Sequence, residues 1–270
     1  MMKTESRPDT VKGVVEVFDA VLEGFGERGD YRAVFLHAYL IITRRFSTVI
    51  ECQKSEGERV FLDVLWVESL LVSFANLYLD TIGPLKSPHY TSRTWANAHR
   101  CAELKQGTVI EDLLLGVNAH VNVDLAFAVY QALERESECS LDPLRLARRK
   151  FDYDQVNRIL FECIDRIEDE ISEHFGGAIG FLDHFLLSLD EALTRMGVRK
   201  FRERVWWHGL SLLSATTEEE RRLVREKIEA QALEVAKDIR VVRWGPLSIL
   251  HRVQRVLRRS DFGAGFAGAG

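Results

Sequence analysis

The segment Asn118-Ala119-His120-Val121-Asn122-Val123-Asp124-Leu125 sets an imidazole, a carboxylate and two amides into an otherwise apolar stretch. Successive helical residues turn by about 100°, so His120 and Asp124 fall about 40° apart on one face, and Asn118 and Asn122 share another. His120 and Asn118 are about 200° apart, so the two pairs cannot line one wall of a pocket. A carboxylate one turn from an imidazole orients it and raises its basicity, which suits general acid/base work. Two readings remain open. Either His120 and Asp124 serve a site while the other pair ties the helix to its neighbours, or the whole set is a buried network that fixes helix register.

Further polar residues interrupt two other apolar stretches. His37 and Tyr39 lie within 33–42, and Glu68 and Asn76, with Asp63, Ser69, Ser73 and Tyr78, lie within 61–79. An unpaired buried polar group costs roughly 1–3 kcal/mol and a charge more, so these side chains must find one another, water or a ligand. The candidate catalytic set is therefore His120, Asp124, His37 and Glu68. Asn76, Tyr78, Asn118, Asn122 and Tyr39 are the candidate substrate contacts, with Asn76 or Tyr78 placed to polarise a carbonyl. Two histidines and two carboxylates also form a conceivable divalent-metal set. No His-Glu-x-x-His motif and no paired Glu-x-x-His motifs accompany them.

Other chemistries find little footing. There is no P-loop, no G-x-G-x-x-G after a strand and no G-x-S-x-G elbow. The acidic run Asp165-Arg166-Ile167-Glu168-Asp169-Glu170 reads as a solvated helix face, and Gly176-Gly177-Ala178-Ile179-Gly180 as a turn. Cys139 and Cys163 have no visible base, and His184 and His208 read as packing positions. With no organic cofactor indicated, the expected chemistry needs only shape, hydrogen bonds and one acid/base group. Cyclisation, isomerisation or elimination of a mostly apolar small molecule in a helix-lined pocket fits that description. The alternatives are a metal-dependent enzyme and a non-catalytic helical ligand- or partner-binding protein.

The elements that must position these residues are helices. Thr10 caps a first helix with apolar Val11, Val14, Phe18, Val21 and Phe25, broken by Gly24, Gly26 and Gly29. Asp30 caps a second to about residue 50, a third spans about 60–82, a short one surrounds Trp95, and a long one covers about 109–134. Asp152 with Gln155 reads as a capping box opening a helix striped by Val156, Leu160, Cys163, Ile167 and Ile171. Helices over 181–196 and 198–213 are expected on either side of Gly197, and Thr217 with Glu220 caps one to about residue 239. No alternating strand pattern appears. The expected fold is all-α, a single bundle-like domain over 1–262 with central apolar helices and a buried polar cluster. A lobe division is conceivable near 140–150, and 263–270 reads as a disordered Gly/Ala tail.

Composition agrees with a helical protein. The 270 residues are 46% hydrophobic and 29% charged, and only 5 are proline. A formal charge of −5 argues against nucleic acid as a partner. Cys52, Cys101, Cys139 and Cys163 form no C-x-x-C, so free thiols in a reducing compartment are expected. The N-terminus has no apolar run of signal-peptide type, no segment reads as long and apolar enough to span a membrane, and a cytoplasmic location is expected. Residues 239–260 carry six arginines and no acid. A helix over 247–259 could meet an anionic membrane surface or an acidic partner. Oligomeric state is not readable.

Three segments also carry a resemblance. Phe35-Leu36-His37-Ala38-Tyr39-Leu40, Phe74-Ala75-Asn76-Leu77-Tyr78 and the Asn-Ala-His-x-Asn-x-Asp-Leu stretch at 118–125 resemble the signature of an uncharacterised all-helical family, catalogued as a domain of unknown function. The resemblance covers roughly 31–160. It implies an all-helical fold and brings no activity with it.

Overall fold

The computed structural model describes residues 7–82, 92–105, 107–137, 142–175 and 191–241, and among these it is helical with no strand. In chain order the helices are α1 (Val11–Glu27), α2 (Ala33–Lys54), α3 (Val64–Ile82), α4 (Arg93–Glu103) and α5 (Val109–Ala119). A π-helical turn (His120–Asp124) joins α5 directly to α6 (Leu125–Ser137). Then come α7 (Pro143–Glu162), α8 (Ile164–Phe175), α9 (Glu191–Ser214) and α10 (Glu218–Val241). They surround one shared core, with α2 against α1, α3, α5, α7 and α8, and the α5–π–α6 run against α2, α3, α4, α9 and α10.

Local chemistry explains most of the boundaries. Thr10 accepts a hydrogen bond from Gly13 N–H and starts α1, which buries Val11, Val14, Phe18, Leu22 and Phe25. Gly24 and Gly26 do not break that helix, and the chain turns only at Gly29, whose φ of 58° lies in the left-handed region. The Thr217–Glu220 capping box forms as expected at the head of α10. A second box, Thr108 with Glu111, opens α5.

Several boundaries differ from the sequence reading. The second helix starts at Ala33 after Arg32 with no side-chain cap, while Asp30 accepts Arg32 N–H, and the helix expected to carry 156–171 is divided at Cys163 into α7 and α8. Asp152 opens no helix. Asp142 caps α7, with Pro143 in its first turn, and Asp152 lies inside that helix with no exposed surface. Its carboxylate instead accepts Leu62 N–H at 2.7 Å and Asp63 N–H at 2.9 Å, fastening the 61–63 turn to α7. The third helix therefore starts at Val64, where Asp63 accepts Trp66 N–H. Residues 143–150, near the conceivable lobe division, are the first turns of α7. Gly197 does not separate two helices, because α9 runs through it. One glycine costs a helix about 1 kcal/mol relative to alanine, too little to stop one of 24 residues.

Two helices, Ala33–Lys54 and the run Val109–Glu136, are long and apolar enough to cross a membrane by length and composition. That corrects the expectation that no segment is. Within the fold 72% of each tested window is buried, as in a core helix. The sequence expectations for 83–91, Cys139, 176–180, 181–190, His184, the basic segment 247–259 and the 263–270 tail lie outside the described residues.

Two glycines set how closely the central helices approach. A Cβ on Gly116 would stand 2.6 Å from the Phe35 ring, and one on Gly209 would stand 2.5 Å from Val129. Glycine thus lets α5 lie on α2 and α9 lie on α6.

Candidate functional site

The π turn holds the polar centre of the molecule. Leu125 N–H reaches the His120 carbonyl five residues back, so this turn is one residue wider than an α-turn. His120 Nδ1 lies 2.9 Å from Asp124 Oδ2 in a hydrogen bond, and Trp95 Nε1–H donates to the same oxygen at 2.8 Å. Ser92 caps α4 and so presents Trp95 to the carboxylate. Trp95 also stacks on His99, whose Nε2 is 3.0 Å from Thr81 Oγ1.

Aromatic rings enclose the imidazole. Phe74 lies flat on it at 3.5 Å, and Tyr39 packs at 4.4 Å and Phe35 at 5.5 Å. Tyr78 and Trp95 complete the cage at 6.0 and 6.2 Å. These rings come from α2, α3 and α4, so the cage is the place where those helices meet the π turn. Three polar atoms inside it have neither a hydrogen-bond partner nor exposed surface: His120 Nε2, Asp124 Oδ1 and Tyr78 Oη.

Burial sets the charge states. It holds the His120 imidazole well below its ordinary value of 6.5. It pushes the Asp124 carboxyl well above 3.8, with the Trp95 N–H only partly opposing it. Tyr39 and Tyr78 are raised as well, chiefly by burial. The cage thus favours the neutral form of each group, and its ground state carries no net charge.

The remaining candidate residues lie elsewhere. His37 is on α2 about 200° around from both Phe35 and Tyr39, which face the cage. Its Nε2 is 3.0 Å from Glu170 Oε2 and its ring packs 4.7 Å from His174. Burial pulls its pKa down, against the opposing Glu170 carboxylate. Glu68 pairs with Lys54 and accepts Val11 N–H. Asn76 donates to the Pro8 carbonyl at 3.1 Å. Asn118 donates to the Ala232 carbonyl of α10 at 2.9 Å and accepts from Asn122 at 2.8 Å, so this pair ties the π turn to its neighbour. No hydrogen bond or ring contact joins His37, Glu68, Asn76, Asn118 or Asn122 to His120 among the described residues. Only Asp124, Tyr39 and Tyr78 of the candidate set surround it. Among the described residues, no three His, Cys, Asp or Glu side chains are grouped to hold a metal ion.

Sequence reasoning missed Trp95, Phe74 and Phe35 as members of this centre. A signal existed for Trp95, since a buried indole N–H needs an acceptor and the apolar α5–α6 stretch offers few.

The model of a family described as "Family of unknown function (DUF5995)" matches residues 11–242. The chain belongs to that family. The DUF5995 match spans α1 to α10, and therefore every element that contributes to the cage. No curated protein and no solved structure matches the chain.

Proposed function

We propose that the His120–Asp124 pair is the acid/base centre of an enzyme acting on a small, mostly apolar molecule without an organic cofactor. The observation that carries this reading is the set of three unpartnered buried polar atoms, His120 Nε2, Asp124 Oδ1 and Tyr78 Oη, inside one aromatic cage. Leaving such atoms unpaired costs roughly 1–3 kcal/mol each, a cost that a ligand's polar groups would remove. Asp124 engages Nδ1 and fixes the ring, which leaves Nε2 to take or give a proton. Tyr78 Oη is the donor for a carbonyl oxygen, and the surrounding rings supply apolar contact. A π turn at the pair adds support, because such turns occur frequently at functional sites. The reaction class is cyclisation, isomerisation or elimination, in which one proton moves and no electrons leave the substrate.

Nε2 has no exposed surface, so a substrate must displace a cage side chain to reach it. That close packing favours a second reading, in which the pair is architecture that fixes α2, α3 and α4 on the π turn. His120→Asn separates the two. It keeps much of the volume and should cost no more than roughly 1–3 kcal/mol of stability. In the enzyme reading, an apolar carbonyl compound found by thermal-shift screening stabilises wild type but not the variant, and its turnover falls ~10²–10⁴-fold. If the variant melts far below wild type and no compound shifts either protein, the cluster is architecture.

A further inference from the structure

A cleft of about 510 Å³ opens between the 61–63 turn, the end of α6 and the start of α7, well within the size range of small-ligand sites. One wall is held by ionised groups that satisfy one another. Arg149 donates to Asp63 at 2.8 Å and to both oxygens of Glu136 at 2.9 and 2.5 Å, and its guanidinium lies 5.1 Å from the Trp66 ring. Asp152 anchors the backbone of that wall from inside α7. Asp142, at the far side, spends one oxygen on Arg145 N–H as the α7 cap.

Three more guanidinium groups line the cleft, those of Arg135, Arg145 and Arg148. Arg135 donates only to the neutral Ser69 hydroxyl, and Arg148 has no ion pair among the described residues. Beside them stand two leucines that a water-facing surface does not need, Leu62 at 38% exposure and Leu144 at 70%. Positive forks next to bare apolar surface ask for a molecule with one anionic end and one apolar end.

We propose that this cleft binds an amphiphilic carboxylate, with its head between Arg135 and Arg148 and its apolar chain over Leu62 and Leu144. Two guanidinium groups without ion pairs among the described residues suit one carboxylate head, and the Arg149 network keeps the wall in place whether or not the ligand is bound. The site is separate from the His120 cage and does not depend on its function.

Decanoate, used below the concentration at which it forms micelles, is the probe, with decanol and acetate as molecules lacking the head and the chain. Calorimetry should show one saturable decanoate site, with each control about tenfold weaker or worse. Arg135→Gln/Arg148→Gln removes two exposed side chains and leaves Arg149 in place, so the fold should persist, as an unchanged Tm will confirm. This variant should weaken decanoate about tenfold, and Leu144→Asn should weaken it while sparing the response to salt. His120→Asn should leave decanoate affinity unchanged. Equal affinity for decanol and decanoate, or an arginine variant that binds as wild type does, overturns the proposal. So does loss on His120→Asn, which would place the ligand in the cage. Binding only to phosphatidylcholine vesicles doped with fatty acid, and not to free decanoate, would show a membrane surface instead and overturn it too.

Discussion

Asp124 and Asp63 are two carboxylates held by the same fold in opposite ways. Burial pushes both upward. At Asp124 only the Trp95 N–H opposes it by hydrogen bonding, and the carboxyl stays well above its ordinary value. At Asp63 the Trp66 N–H and the Arg149 guanidinium outweigh burial and hold the carboxyl below it. The cage is a dry site whose polar groups are neutral, and the arginine cleft is a wetter site whose groups stay ionised. Burial alone therefore does not set the protonation of a carboxylate; the charge it is given as a partner does. Proton transfer suits the first environment and anion capture suits the second.

The largest test of that contrast is truncation. Asp124→Ala leaves Trp95 Nε1 without its acceptor and His120 Nδ1 without its hydrogen-bond partner inside the core, and opens a small cavity. It should cost about 3–5 kcal/mol in urea unfolding. Asp63→Ala removes a half-exposed carboxylate whose partner Arg149 keeps both oxygens of Glu136, and should cost about 1 kcal/mol. Equal losses would erase the distinction between the regions.

Gly116→Ala comes next. The added methyl meets the Phe35 ring at 2.6 Å, and the helix-propensity gain of about 1 kcal/mol does not offset that overlap in a packed core. A net loss of about 1–3 kcal/mol is expected. Stabilisation instead would show that α2 and α5 are looser than the cage requires.

The pH dependence is the finest probe. Unfolded, Asp124 ionises near 3.8 and His120 near 6.5, whereas in the folded pair burial keeps the carboxyl protonated and the imidazole neutral across that window. Between about pH 3.8 and 6.5 both states then bind the same number of protons, and the pair contributes no slope. Above 6.5 the unfolded imidazole is already neutral, so stability falls as pH rises for as long as the buried Asp124 carboxyl keeps its proton, by up to about 1.4 kcal/mol per pH unit. Below 3.8 the unfolded state holds one more, and stability falls with acid. In Asp124→Asn the carboxyl is gone, so wild-type stability relative to this variant should decline steadily from pH 4 upward. Parallel profiles would mean that Asp124 is ionised in the fold.

Much of the architecture was legible because it is written in local periodicity. The α1 stripe, the Thr10 cap and the Thr217–Glu220 box are each decided by residues three or four apart. The His120–Asp124 pairing was legible for the same reason, whereas Asn118 and Asn122, read both as a tie and as substrate contacts, bond to α10 and to each other. What escaped depends on partners distant in sequence. Asp152 looks like a cap locally, but the backbone groups it satisfies lie 89 and 90 residues away. Trp95 reaches Asp124 across 29 residues, and Gly116 is required by a ring on another helix. The π turn escaped because a uniform 100° per residue cannot register one extra residue in a turn. His37 and Glu68 were grouped with His120 on residue type, and the helix faces sent them to Glu170 and Lys54 instead.

The central claim is a neutral, desolvated imidazole with one nitrogen held and the other left for chemistry. The ¹⁵N shifts of the His120 ring, followed from pH 8 to 5, test it most directly. The account predicts one protonated and one bare nitrogen throughout, with no transition near 6.5. Two protonated nitrogens appearing at or above pH 6.5 would contradict it.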